Sequence, residues 1–526
     1  MRLPEASFAG AIGRGATELL SERLDGAPAV RKAGNSLLFA GGSGPMSADD
    51  TVACIALGAP KCHGLGLAND PNCVLDIETS RHLLAGRGAE IDAKLHGHFA
   101  LIIIDFTVPT VLLITDRFGS YTLYYRIFND GIAFADRADV LLDSHSGPTD
   151  QALFDYLYFH CLPGPGTVHD SVKRLEPAGV VRWRDGRLTK ETYWRRKTGG
   201  KRYTDFEEAK KDFYDILRQS VEDECDSNNV GAFLSGGTDS STVVGLLAER
   251  SVTPVKSYSI GFDVKGYDEV SYAKLAAMHF GSEHRFYYVT PDDLVARLRS
   301  IAESLDQPFG NSSLAPAIIC AERALEDGTK KLLAGDGGDE LFGGNTRYAK
   351  QRKFGWYEAV PRAIREGLIE PLVRSSLGEL PPLRKLRNYV TQARIAMPDR
   401  LESYNLLERE GIGNIFPKSM LGRIDVDHPR QMQRQVWSEL AAENLIDRML
   451  EFDWKYTLAD NDLRKVRYAS AIAGIDIGFP LLSDELADFS LRLDPDWKVR
   501  GFKLRWFFKE ALSDFLPKEI IQKKKH

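Results

Sequence analysis

The chain has 526 residues, which at ~150 residues per domain allows roughly three to four domains or two large ones. With 43% hydrophobic and 27% charged residues it is neither a disordered chain nor a collagen-like one. A net charge of −6 gives no global basic field, so nucleic acid and anionic membranes are excluded as partners. The first residues, MRLPEASFAGAIGRG, lack the basic-then-apolar pattern of a signal peptide. The most apolar run, Phe99–Phe106, is too short to span a bilayer and reads as a buried strand. Six cysteines without a CxxC pair argue against a disulfide framework and a zinc site, and for a reducing, cytoplasmic setting.

Strand-like runs dominate up to Trp194. Phe99–Phe106 is followed by Val111–Thr115, Thr122–Phe128 and Gly131–Ala135, with Asp116, Gly119, Asn129 and Gly131 as turn residues. This spacing predicts an antiparallel sheet of hairpins. Helical stretches near Thr79–Leu84 and Asp150–Tyr158 make the half α+β. The basic stretch Arg195–Arg202 (RRKTGGKR) reads as a linker, placing one domain at 1–195 and a second at 203–526.

Beyond the linker, strand and helix alternate. Helices are expected over Asp205–Glu224, Asp239–Arg250, Glu269–Phe280, Leu294–Leu305 and Pro316–Glu326. Strands are expected over Val230–Leu234, Lys256–Phe262, His284–Val289 and Lys331–Ala334. Alternation of this kind implies βαβ units and a parallel sheet covered on both faces. From Phe354 to Leu445 the pattern is almost wholly helical, an extension of the α/β unit.

Two motifs carry chemistry. SGGTDSS (Ser235–Ser241) follows a strand ending at Leu234 and opens a helix. Gly236 and Gly237 let the backbone turn and converge its N–H groups. With Ser235, Ser240 and Ser241 those groups can cradle phosphate oxygens at the positive helix end. Asp239 repels phosphate and makes sense there as a magnesium ligand. No GxxxxGK[ST] pattern occurs, so this is not the Walker loop. The residues resemble the pyrophosphate loop of enzymes that cleave ATP between its α and β phosphates. In the second motif, KLLAGDGGDELFGG (Lys331–Gly344), a strand again runs into glycines, from Gly335 onward, with Asp336, Asp339 and Glu340. Asp239 and Asp339 could hold Mg²⁺ against the phosphates.

SGGTDSS, then YSIGF, then GDGGDELFGG, and LPKEI at Leu516–Ile520 together resemble the asparagine synthetase family across the whole second half. The resemblance implies that Ser235, Gly237, Asp239 and Ser240 hold pyrophosphate, that Ile260 and Gly261 meet adenine through backbone groups, and that Asp339 is the second magnesium ligand. Asp336 stands where asparagine synthetases carry a glutamate and lactam-forming relatives a tyrosine, beside the adenylated carboxylate, with a base-like role. Arg505 falls where the family keeps a late lysine, with Lys503 two residues earlier; either could neutralise departing pyrophosphate. The family's acid-pocket pattern is matched by Asp476–Asp484 (DIGFPLLSD), with Gly478 in place of an arginine. Gly478 is read either as drift on a loop or as a sign that the acceptor is not free aspartate.

His96–Tyr125, Leu162–Val168 and Asp185–Trp194 resemble the glutamine-hydrolysing domain of the same enzymes. The implied fold is an Ntn-type αββα sandwich. That domain works through a cysteine directly after the initiator methionine, and here position 2 is Arg2. The glutamine-gripping stretch is also unrecognisable around Gly66–Leu75. The sandwich is therefore expected to lack glutaminase activity. The sequence points to a ligase that adenylates a small-molecule or peptide carboxylate with ATP and Mg²⁺ and passes it to an amine. β-Lactam synthetases and lasso-peptide cyclases also lack that cysteine. An ammonia-dependent asparagine synthetase, a tRNA-, sulfur- or nitrogen-adenylating enzyme and a non-catalytic scaffold are the alternatives. A homodimer is allowed, and the basic tail Gln522–His526 is read as solvated or cut short.

Overall fold

The computed structural model describes residues 8–23, 31–33, 36–40, 46–62, 76–86, 88–143, 146–197, 201–225, 229–262, 270–374, 381–402 and 405–523. Arg2 and the 66–75 stretch lie outside the described residues.

The first half contains two six-stranded antiparallel sheets. One takes Val172–Arg174, Tyr124–Phe128, Gly131–Ala135, Phe8–Ile12, Ser36–Ala40 and Arg31–Ala33 in that order. The other takes Arg187–Thr192, Gly179–Arg184, Thr110–Thr115, Phe99–Asp105, Val52–Gly58 and Met46–Ala48. Successive side chains on a strand point to opposite faces. Phe8, Ile12, Ile132 and Phe134 of one sheet thus meet Ile55, Ile102, Ile104 and Val181 of the other in a shared core. The opposite face of the second sheet, with Cys54, Leu101 and Ile103, is covered by Leu83 and Ile91. These come from helices Ile77–Ala85 and Gly88–Lys94. Ala9, Ala11 and Ala133 lie under Ala16 and Leu20 of helix Arg14–Arg23. The layering is helix, sheet, sheet, helix, the αββα sandwich that the resemblance implied. Burial on both faces explains why Phe99–Asp105 reads as one apolar run instead of alternating.

Asp136 closes the Gly131–Ala135 strand and accepts a hydrogen bond from the Phe8 amide at 3.2 Å. Burial pushes its carboxyl up to about 7. A raised folded-state pKa means that folding retains a proton which the unfolded chain has lost. The stabilising contribution is complete below about pH 4 and is lost as pH rises towards 7, by an amount of order a few kcal/mol. Asp136→Asn, neutral throughout, should therefore flatten the fall in melting temperature between pH 5 and pH 8 relative to the wild type. Parallel curves for the two proteins would refute the assignment.

The second half is built on a five-stranded parallel sheet. Its order is Glu283–Tyr288, Lys256–Gly261, Val230–Phe233, Lys331–Leu333, Asp476–Gly478. Four strands match the expectation. The fifth arrives after more than a hundred residues of helix, where the sequence suggested only a pocket loop. Phe213, Leu217 and Val221 of helix Phe206–Asp223 and Val243, Val244 and Leu247 of helix Thr238–Arg250 join the core around this sheet. The helical extension is as expected, and it leads into a nine-residue π-helix, Trp454–Asp462.

The basic stretch after Trp194 is more than a tether. Arg196 is 3% exposed, donates to the Glu340 carbonyl at 2.9 Å and lies 5.2 Å over the Trp454 ring. Among the described residues no helix is long and apolar enough to cross a membrane.

Candidate active site

The Val230–Phe233 strand delivers the first loop. Gly236 has φ +69°, and a Cβ there would overlap the backbone of Tyr272 and Ala273, so only glycine fits. No side chain caps helix Thr238–Arg250 at Gly237, which leaves its first amides directed outward, the arrangement that suits an anion. The Ser235 and Ser240 hydroxyls meet across the loop at 3.0 Å, and Gly237 N–H donates to Ser235 Oγ at 3.3 Å. Ser241 does not share this face. It is completely buried, and its Oγ has no hydrogen-bond partner, whereas the sequence suggested an oxygen contact to phosphate. Leu234 anchors the strand end: its N–H donates to Tyr258 O at 2.8 Å, and its carbonyl accepts from Ser259 Oγ.

Pairing of this strand with its neighbour stops at Phe233 and Tyr258, whereas Ser259–Gly261 pair only with the outer strand Glu283–Tyr288. The inner backbone edge of Ile260 and Gly261 therefore extends past the phosphate-loop strand. That edge can offer a planar base backbone donors and acceptors.

The second motif approaches to backbone contact. A Cβ on Gly335 would stand 2.8 Å from Ser240 N, and one on Gly338 would stand 2.7 Å from the Asp239 carboxylate. Gly337 (φ +101°) and Gly343 (φ +80°) bracket the short helix Gly338–Phe342 that carries Asp339. Arg505 ties the two motifs together. Its guanidinium donates to Thr238 Oγ1 at 2.7 Å, to both Asp239 oxygens (2.6 Å to Oδ2) and to Asp339 Oδ1. Against its own burial, the two carboxylates hold it firmly charged. Lys503, the alternative cation, is exposed on the hairpin Val499–Arg500/Lys503–Leu504 and stays outside this cluster.

Asp336 occupies the same strand end but a separate network. Lys465 Nζ stands 3.3 Å from Asp336 Oδ1 and 3.4 Å from Asp462 Oδ1. Against its burial, these carboxylates push the Lys465 ammonium above its ordinary range. Burial, and then Asp336, outweigh Lys465 in raising Asp462. Burial pushes Glu340 up to about 8, with Asp339 and Asp462 adding to it. Neither Lys465 nor Asp462 was foreseen. Lys523 was also missed: its ammonium lies 3.4 Å from Gly236 O and 4.6 Å from the Tyr272 ring, so the tail is not simply solvated at this residue.

Gly478 has a structural reason of its own. A Cβ there would overlap the Glu224 carboxylate, which is paired with Lys331 at 2.9 Å. The missing side chain points at Glu224, which gives this glycine a packing reason independent of the substrate.

A magnesium ion can be tested against the donor set. Asp239 and Asp339 already converge on a single cationic group, and glycines 338 and 344 press against their carboxylates. No group of three or more His, Cys, Asp or Glu that could hold a metal occurs among the described residues. Two carboxylates with remaining positions left for phosphate oxygens suit Mg²⁺. A Cβ at Gly344 would overlap both Asp339 Oδ1 and Arg505 Nε. Gly344→Ala should displace that pair and lower stability by about 1–3 kcal/mol. A melting temperature within a degree of wild type would count against this packing.

The profile of the asparagine synthase family matches residues 212–526, and that of a glutamine amidotransferase domain matches residues 72–194. The chain belongs to the asparagine synthase family. It is 25% identical to the glutamine-hydrolyzing asparagine synthetase 1 of Bacillus subtilis (strain 168), over 83% of this chain and 68% of that one. It is 26% identical to a putative glutamine-hydrolyzing asparagine synthetase of Mycobacterium bovis, over 83% of this chain and 67% of that one. A putative asparagine synthetase 2 of Methanocaldococcus jannaschii is 28% identical over 55% of this chain and 58% of its own length.

Proposed function

We propose that the protein is an ATP-dependent amide ligase that adenylates a carboxylate, releases pyrophosphate and passes the acyl group to an amine. The observation that carries this reading is the convergence of Asp239 and Asp339, from two adjacent strand ends, on one cation. Ser235, Gly237 and Ser240 hold the pyrophosphate portion of ATP, and the Ile260–Gly261 backbone receives adenine. Asp239 and Asp339 would hold Mg²⁺, which would supply positive charge to the phosphate oxygens. The substrate carboxylate oxygen attacks the α-phosphorus, and the bond to the β-phosphate oxygen breaks. Arg505 neutralises the departing pyrophosphate. The amine then attacks the acyl carbon, AMP leaves, and Asp336 accepts the proton.

The sandwich is proposed to be no glutaminase. The glutamine-gripping pattern is unrecognisable in the sequence around Gly66–Leu75, and among the described residues of the sandwich Cys54 and Cys161 are buried. Burial pushes Cys161 and Cys320 up to about 12, far from a reactive thiolate. The nitrogen then arrives as an amine on the substrate or on a second molecule, and a specialised-metabolite or peptide acid is the proposed acceptor. The test is to incubate the full chain with Mg·ATP and a panel of carboxylates and amines. AMP and pyrophosphate are expected, with no glutamate from added glutamine. ADP and phosphate as products would overturn the adenylation, and glutamate release would overturn the view of the sandwich.

A further inference from the structure

The π-helix Trp454–Asp462 runs directly into helix Leu463–Ala473, which carries Lys465. π-Helical turns are rare, usually single, and frequent at functional sites, so a nine-residue run depends on its surroundings. Those surroundings come largely from the first half of the chain. Trp454 donates from Nε1 to the Arg117 carbonyl at 3.1 Å and stacks on Phe118 at 4.9 Å, with Trp194 at 5.5 Å. Lys455 donates to Gly164 O and to Glu176 Oε1, each at 2.7 Å. Asp460, 1% exposed, accepts from Arg174 Nη2 and, at 3.3 Å, from Gly164 N–H. The Leu162–Val168 segment is thus gripped through Gly164 by Lys455 and Asp460 of the π-helix. Two residues beyond Asp460, Asp462 pairs with Lys465 beside Asp336.

We infer that the sandwich is a positioning element for the ligase site, and that Arg174, acting through Asp460, fixes Asp462 and Lys465 against Asp336; this rests on the reading of Asp336 as part of the reaction centre. Without Arg174, Asp460 keeps only the longer contact to Lys455 at 3.7 Å, and a buried carboxylate short of its close cation is unfavourable. The π-helix can escape that penalty by rewinding or opening locally, at far lower cost than global unfolding. A register change of one residue turns a helix by roughly 100°. Such a turn would carry Asp462 away from Lys465 and release the ammonium from its site. The inference gives a sandwich proposed to be no glutaminase a use for the buried Arg174–Asp460 pair across the two halves. It makes Arg174 a positioning residue, since it touches neither of the two loops.

The experiment uses the full chain without nucleotide, so its outcome is independent of the proposed activity. Hydrogen exchange is followed by peptide, and the reactivity of Lys465 towards acetic anhydride is read by mass spectrometry. In Arg174→Met, exchange over 454–465 should rise about tenfold or more, and Lys465 should become acetylated, while the loop at 235–241 keeps wild-type protection. Arg174→Lys, which retains a cation, should recover most of the protection. Where Arg174→Met yields no folded protein, Lys455→Met removes the other tie to Gly164 and is read by the same two signals. Unchanged exchange and an unreactive Lys465 in the folded variant would overturn the inference. So would a rise spread evenly over both segments, which marks a merely structural pair.

Discussion

Asp239→Asn should lower ATP-dependent turnover by roughly a hundredfold or more while leaving the fold intact. The carboxylate does two things that the amide cannot. It presents two anionic oxygens to Arg505, and it supplies half of the anionic donor set shared with Asp339. Asparagine keeps one acceptor oxygen and adds a donor that faces the guanidinium. The buried Arg505 is then left with Asp339 as its anionic partner among these two, at a stability loss of about 1–3 kcal/mol. The affected step is the one proposed to need the metal, so pyrophosphate release should fall along with product. Turnover within about threefold of wild type, in a variant that melts near the wild-type temperature, would remove Asp239 from the metal site.

The strand–loop–helix at Ser235–Ser241 was legible because its signal is compressed into seven consecutive residues. Two glycines for the turn, serines for oxygen contacts and one aspartate leave few alternatives once a strand precedes them and a helix follows. The acidic motif was legible for the same reason. What the pattern could not show was which member faces which way: Ser241 has the right type, but the helix turns it inward. Lys465 and Asp462 were missed because nothing local marks them. They lie over a hundred residues beyond Asp336, and a π-helix turns its side chains with a period that α-helical spacing does not reveal.

Arg196 and Gly478 have packing roles that local composition does not announce. A basic, glycine-containing stretch has the composition of a linker, yet Arg196 is used as a buried peg against the Glu340 carbonyl. At Gly478 the absence of an arginine seemed to describe the substrate. The geometry ties it instead to Glu224, a residue more than 250 positions earlier. In the sandwich, by contrast, strands and turns were close to their final places, because alternating faces and hairpin turns are local properties.

Asp336→Asn should separate the two chemical steps. The Asp336 carboxylate faces Lys465, whereas Asp239, Asp339 and Arg505 form their own network one turn away. In the proposed scheme adenylation uses the second network, so ATP–pyrophosphate exchange should stay within about threefold of wild type. Amide formation needs a group to take the amine proton, and a positioned base is commonly worth about 10²–10⁴ in rate. Asparagine cannot take that proton. It can still occupy the space beside Lys465, which keeps Asp462 as its partner at 3.4 Å. Exchange and product should be followed separately in the same preparation, with the carboxylate that the wild type uses best. The expected result is exchange without matching product. An equal loss of both would show that Asp336 acts by placing Lys465, with the proton going elsewhere. Efficient conversion of aspartate and ammonia to asparagine by the wild type would leave the two-step scheme standing and overturn the proposal of a specialised-metabolite or peptide acid.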